Sequence, residues 1–88
     1  MLSVPTVHLN GTSKQELLDQ LKNAFRAVRE AEAIVRKAYP HGRDYYVQTD
    51  TGGIEEAMRQ HGRRLVSLNN IANELEAIAI AVQEQGRH

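Results

Sequence analysis

Arg59, His61, Arg63 and Arg64 form the densest basic cluster in the chain, and they are the residues whose types and spacing most nearly suggest chemistry. Three reactions of such a group can be weighed. As an ionisable side chain among fixed cations, His61 would serve as a pH-sensitive switch. Against that stands a plainer role, a packed histidine opposite Ala31 with one hydrogen bond to a neighbour, and this carries more weight. As a metal ligand His61 lacks an acidic or histidine partner one helical turn away, the pattern H-E-x-x-H is absent, and His8, His41 and His88 are scattered, so no metal site is expected. The arginines, joined by Arg36 and Lys37 across a hairpin, would bind phosphate groups. However, Glu30, Glu32, Glu55 and Glu56 share that end, and Glu55 to Arg59 and Glu32 to Arg36 have the spacing of helical ion pairs. A solvated charged face is therefore the expectation. Glu74, Glu76 and Glu84 make the far end of the same segment more acidic.

A second concentration is His41-Gly42-Arg43-Asp44-Tyr45-Tyr46. Arginine and tyrosine are favoured interface anchors, and recognition residues gather on irregular segments. Arg43, Asp44, Tyr45 and Tyr46 are thus candidates for a partner contact, with an equal claim for a structural role in which a tyrosine folds back to cap the hairpin while Arg43 and Asp44 tie the loop. Catalysis would need a base and a nucleophile in a concave pocket, and a hairpin offers little concavity. No catalytic residue and no cofactor is assigned, and the chain is expected not to be an enzyme.

The elements that carry these residues are two helices. Ser13 and Glu16 make a capping box, in which the Ser13 hydroxyl accepts from the Glu16 amide and the carboxylate reaches back. From there Leu17, Leu21, Ala24, Val28, Ala31, Val35 and Ala38 recur at alternating spacings of four and three, widened by Leu18, Phe25 and Ile34. Tyr39-Pro40 ends the pattern, because proline disfavours helical geometry in the residue before it. After a connection rich in Gly, Asp and Thr, Ile54, Met58, His61, Leu65, Leu68, Ala72, Leu75, Ala79 and Val82 repeat the spacing, flanked by Ile71 and Ile78, with Gly86 as the stop. Before the first helix, Thr6 to Leu9 alternate and Asn10-Gly11 signals a turn. The expected fold is all-α: an antiparallel, coiled-coil-like two-helix hairpin with a short extended N-terminal arm. Residues 1–88 form one domain, with arm 1–12, helix 13–39, loop 40–53 and helix 54–85.

Closing the hairpin so that Ala38 faces Ile54 sets Val35 against Met58, Ala31 against His61, Ala24 against Leu68 and Leu17 against Leu75, small residues mostly opposing large ones. In that register Ile78, Ala79, Ile80 and Val82 project beyond Ser13, to be covered by the arm or by a second subunit. The seam buries one strip of each helix and leaves Leu18, Phe25, Ile71, Ile78 and Val82 for self-association, the simplest outcome being a dimer that forms a four-helix bundle.

Composition bounds the rest. Eighty-eight residues support one core. Eleven Lys plus Arg balance eleven Asp plus Glu, which removes the global basic field of nonspecific nucleic-acid or anionic-membrane binders. Cysteine is absent, so there is no disulfide framework or thiolate zinc site. Met1 to Pro5 has no basic and apolar leader pattern and no continuous run reaches the roughly 18 apolar residues of a membrane span, so a cytoplasmic protein with no membrane contact is expected. With one Phe and no Trp, so small a domain needs long helices, partners or both.

Two segments together, Pro5-Thr6-Val7-His8-Leu9-Asn10-Gly11-Thr12-Ser13 and Gly42-Arg43-Asp44-Tyr45-Tyr46, resemble a group of short uncharacterised proteins encoded by tailed bacteriophages and prophages, in which a similar arm precedes one helix and a similar loop precedes a second. His41 and Val47 depart from the commoner loop residues. The resemblance implies a phage protein made in the bacterial cytoplasm, a virion component or assembly factor with other phage proteins as partners, and it transfers no functional residue. The alternative from another class is a small regulator that binds nucleic acid or a host protein through the basic end.

Overall fold

A computed structural model describes residues 1–46 and 53–86. Two antiparallel helices, α1 (Lys14–Lys37) and α2 (Gly53–Glu84), pack along their lengths, and no strand occurs among the described residues. The molecule is a rod of 61 × 23 × 21 Å. Its radius of gyration is 19.0 Å, against about 12 Å for a compact globule of this length.

The start of α1 follows from Ser13, whose backbone is extended and whose hydroxyl accepts from the Glu16 amide at 3.1 Å. This satisfies one of the otherwise orphaned first-turn donors. The helix ends at Lys37, two residues earlier than expected, because the Ala38 amide turns back to the Val35 carbonyl. Pro40 restrains the residue before it and forbids continuation. The connection is not wholly irregular: Gly42–Asp44 form a 3-10 turn, closed by the Asp44 amide on the His41 carbonyl and the Tyr45 amide on that of Gly42. Thr49, Asp50, Thr51 and Gly52, which the sequence assigns to this loop, lie outside the described residues, as does Val47. At its other end α2 stops where Gly86 takes φ +85°, a left-handed conformation that residues with a Cβ adopt only with strain.

The seam holds the only three buried residues among those described, His61, Ala72 and Val82, all at positions of the four-three repeat. The register, however, differs from the one that a tight closure would impose. His61 meets the Tyr39 ring edge-on at 5.7 Å between centroids, eight positions beyond Ala31. Lys14 Nζ donates to the Gln85 carbonyl at 2.7 Å, and Arg29 reaches Asn69 and Asn73. Sliding one helix along its neighbour by about two turns returns the same faces to the seam, because the apolar pattern repeats every seven residues. Periodicity alone therefore leaves such a slip open, and the long connection permits it.

This slip moves the unfinished end. Ile78 to Val82 do not project past Ser13; the first turn of α1 lies beside them. The projecting segment is instead the start of α2, residues 53–60, which extends beyond Tyr39. Residues 40–45 run back along it, with Tyr45 half-buried and its carbonyl 3.8 Å from where a Cβ on Gly53 would stand.

The arm closes the opposite end. One side-chain amide holds it: Gln85 Oε1 accepts from the Val7 amide at 2.8 Å, and Gln85 Nε2 donates to the Pro5 carbonyl at 2.7 Å. Two backbone groups of a segment outside any helix are thereby satisfied. Gly11 completes the turn into α1, its amide donating to the His8 carbonyl, while the His8 ring lies 2.7 Å from the position a Cβ on Gly11 would take. Replacing Gln85 with alanine removes both bonds, and we expect a loss of about 1–2 kcal/mol with faster amide exchange at Val7 as the diagnostic readout. Unchanged exchange there would show that the arm is held by something else.

Candidate interaction surface

Arg29 organises one flank of the hairpin, and sequence reasoning did not single it out. Its guanidinium lies 5.3 Å from the Phe25 ring centroid, pairs with Glu32 at 3.1 Å, and crosses to α2, donating to Asn69 Oδ1 at 2.9 Å and Asn73 Oδ1 at 3.3 Å. One planar cation thus couples an aromatic face, a carboxylate and two amides, which its forked donors permit and a lysine would not. The available signal was the pair Asn69 and Asn73, spaced one turn apart on α2.

Below this clasp, towards the arm, Leu18, Leu21 and Phe25 of α1 and Leu75, Ala79 and Ile80 of α2 line an open groove of about 360 Å³. Its rims carry Lys22 on α1 and Glu76 and Glu84 on α2. Ile80 remains 52% exposed.

The five residues expected to mediate self-association do not form one surface. Leu18 and Phe25 line the groove. Ile71 lies about 100° of helix turn from Ala72 on the side opposite Asn73, and Asn73 is on the flank Arg29 grips. Ile71, at 46% exposure, and Ile78, two turns further along the same face, therefore belong to the other flank. Val82 is a correction: it is fully buried within the chain, one turn before Gln85 and its arm contacts, and offers nothing to a second molecule. The one-heptad shift in register is the cause, since it brings the end of α2 alongside the start of α1.

At the tip, the Arg43, Asp44, Tyr45 and Tyr46 candidates divide. Arg43, Asp44 and Tyr46 are exposed, whereas Tyr45 is half-buried, with its backbone carbonyl beside Gly53 at the start of α2. The capping role weighed for the tyrosines thus suits Tyr45, and the contact role suits Tyr46, which is 79% exposed. Tyr46→Ala should leave thermal stability unchanged within about 0.5 kcal/mol; a larger loss by thermal unfolding would give Tyr46 a structural role as well.

The basic cluster is partly neutralised, although not by the expected pairs. Glu56, rather than Glu55, takes Arg59, and it also lies 4.0 Å from Arg63; Glu32 pairs with Arg29 rather than with Arg36. These three pairs use spacings of three or seven along the helix, which place side chains on one face as four does. Hydrogen bonds from Arg59 first, then Gln60, with the charge of Arg59 added, hold the Glu56 carboxyl below its ordinary value. Its contribution is present at neutral pH and is lost as the pH falls through and below the usual carboxylate range. His61 is buried, and its Nε2 has no hydrogen-bond partner. Among the described residues no three His, Cys, Asp or Glu side chains converge in a way that could hold a metal ion.

By length and composition alone α2 is apolar enough to cross a membrane, with an 18-residue window of mean hydropathy 1.2. A search for unbroken apolar runs overlooks this because Asn69, Asn70, Asn73, Glu74 and Glu76 interrupt the helix. No known protein family, curated protein or solved structure matches the chain.

Proposed function

We propose that this chain is a non-enzymatic interaction protein that acts by self-association, a component or assembly factor of a phage particle made in the bacterial cytoplasm. The observation that carries self-association is the surface. The chain exposes 6,799 Å², whereas a compact protein of 9.9 kDa exposes about 5,200 Å². The difference, about 1,600 Å², is twice what each partner buries in a standard interface, about 800 Å². Apolar side chains on both flanks contribute to it. The phage context rests on the arm and loop motifs alone, and other phage proteins are the partners it suggests.

Light scattering on the purified chain tests the reading. The expected result is a dimer, twice the 9.9 kDa chain mass, and a monomer at all concentrations would overturn it. A regulator acting through Arg59, Arg63 and Arg64 would instead shift nucleic acid in a gel with steep salt dependence; the ion pairs to Glu56 count against that outcome.

A further inference from the structure

Resting on the self-association reading, we propose that the groove between Phe25 and Ile80 is the dimer interface, filled by a second copy of this chain whose two-fold axis runs along the helices, so that α1 of each copy faces α2 of the other. The groove is open, apolar and lies on the flank that Arg29 stiffens, and both helices line it with large side chains, half-buried Leu18 and Phe25 on one and half-buried Leu75 with exposed Ile80 on the other. A self-complementary contact must match this surface to itself. Charge decides how. The α1 rim supplies a cation, Lys22, and the α2 rim supplies anions, Glu76 and Glu84; among the described residues neither Lys22 nor Glu76 takes part in an ion pair.

An axis across the helices would set α1 against α1 and α2 against α2, bringing like charges together. An axis along them sets each Lys22 beside the acidic rim of the other copy. Either axis makes every neighbouring pair of helices antiparallel, as in an up-and-down four-helix bundle, so the rim charges are what separate them. The excess surface of the whole chain, shared by both flanks, is large enough to include the roughly 800 Å² per partner of a stable dimer. Ile71 and Ile34, exposed on the opposite flank, lie outside the interface.

Sedimentation equilibrium on the full chain and four variants, each checked for helicity by circular dichroism, tests the assignment. Ile80→Glu should weaken dimerisation by about 100-fold, since it buries a charge at the centre of the contact, while Ile71→Glu leaves it unchanged. Lys22→Glu should weaken it roughly tenfold, and Lys22→Glu combined with Glu76→Lys should restore it. The exposed charge swap keeps the question decidable if Ile80→Glu fails to fold. A dimer that survives Ile80→Glu and Lys22→Glu but dissociates with Ile71→Glu moves the interface to the other flank and overturns this assignment while leaving self-association intact. Failure of the Glu76→Lys change to rescue Lys22→Glu overturns the direction of the axis. A monomeric wild type that floats with phosphatidylcholine vesicles assigns the groove to lipid and overturns both.

Discussion

Val82→Asp is expected to lower the stability of the fold by about 3–5 kcal/mol, a large share of what a domain of this size possesses, about 5–10 kcal/mol. Val82 is completely enclosed, and it precedes by one turn the glutamine that holds the arm. A carboxylate there would have to shed its hydration without a partner or force the end of α2 away from α1. Either response also frees the arm. Chemical denaturation should therefore show a lowered midpoint, and the amide of Val7 should lose protection even before global unfolding. Both measurements belong at one fixed protein concentration, because association adds its own stabilisation. A variant that unfolds within 1 kcal/mol of the wild type would mean that the arm end is not packed as described.

The second large effect has the opposite sign. His61→Leu is expected to stabilise the chain by about 1–2 kcal/mol. His61 is 5% exposed and its Nε2 has no partner, so folding strips that nitrogen of water without returning a hydrogen bond. Leucine has a similar volume and removes the unpaired group. Against this stands the loss of the edge-on contact with Tyr39, worth about 0.5–1.5 kcal/mol for an aromatic pair. The first term is the larger, because an unsatisfied buried polar atom costs about 1–3 kcal/mol while leucine still packs on the Tyr39 ring. A destabilised His61→Leu variant would reverse that ranking and would mean that Nε2 finds a partner in solution.

Much of the architecture could be read from residue types alone. Ser13 and Glu16 announced the start of α1, Gly86 the end of α2, and the four-three repeat located all three enclosed residues, His61, Ala72 and Val82. Each depends on chemistry local to one helix. What escaped depends on how the helices slide and turn against each other. The register of His61 on Tyr39 rather than Ala31 is such a case: a seven-residue repeat is blind to translation by seven. From that one slip came the misplacement of Val82 on the outer surface and of the projecting end. The split of Leu18 and Phe25 from Ile71 and Ile78 is another, since a widened stripe does not say on which side of the seam each residue falls. The reach of Arg29 across to Asn69 and Asn73 depends on both, and its partners within α1, Phe25 and Glu32, did not disclose it.

The arm adds a temporal property to the molecule. Gln85 binds Pro5 and Val7, residues 80 and 78 positions away in the chain. During synthesis the arm, α1 and the connection all emerge before the arm's anchor does. The arm therefore stays undocked until the end of α2 and Gln85 just beyond it are free, and a nascent chain halted at Glu84 would lack both of the bonds that hold the arm.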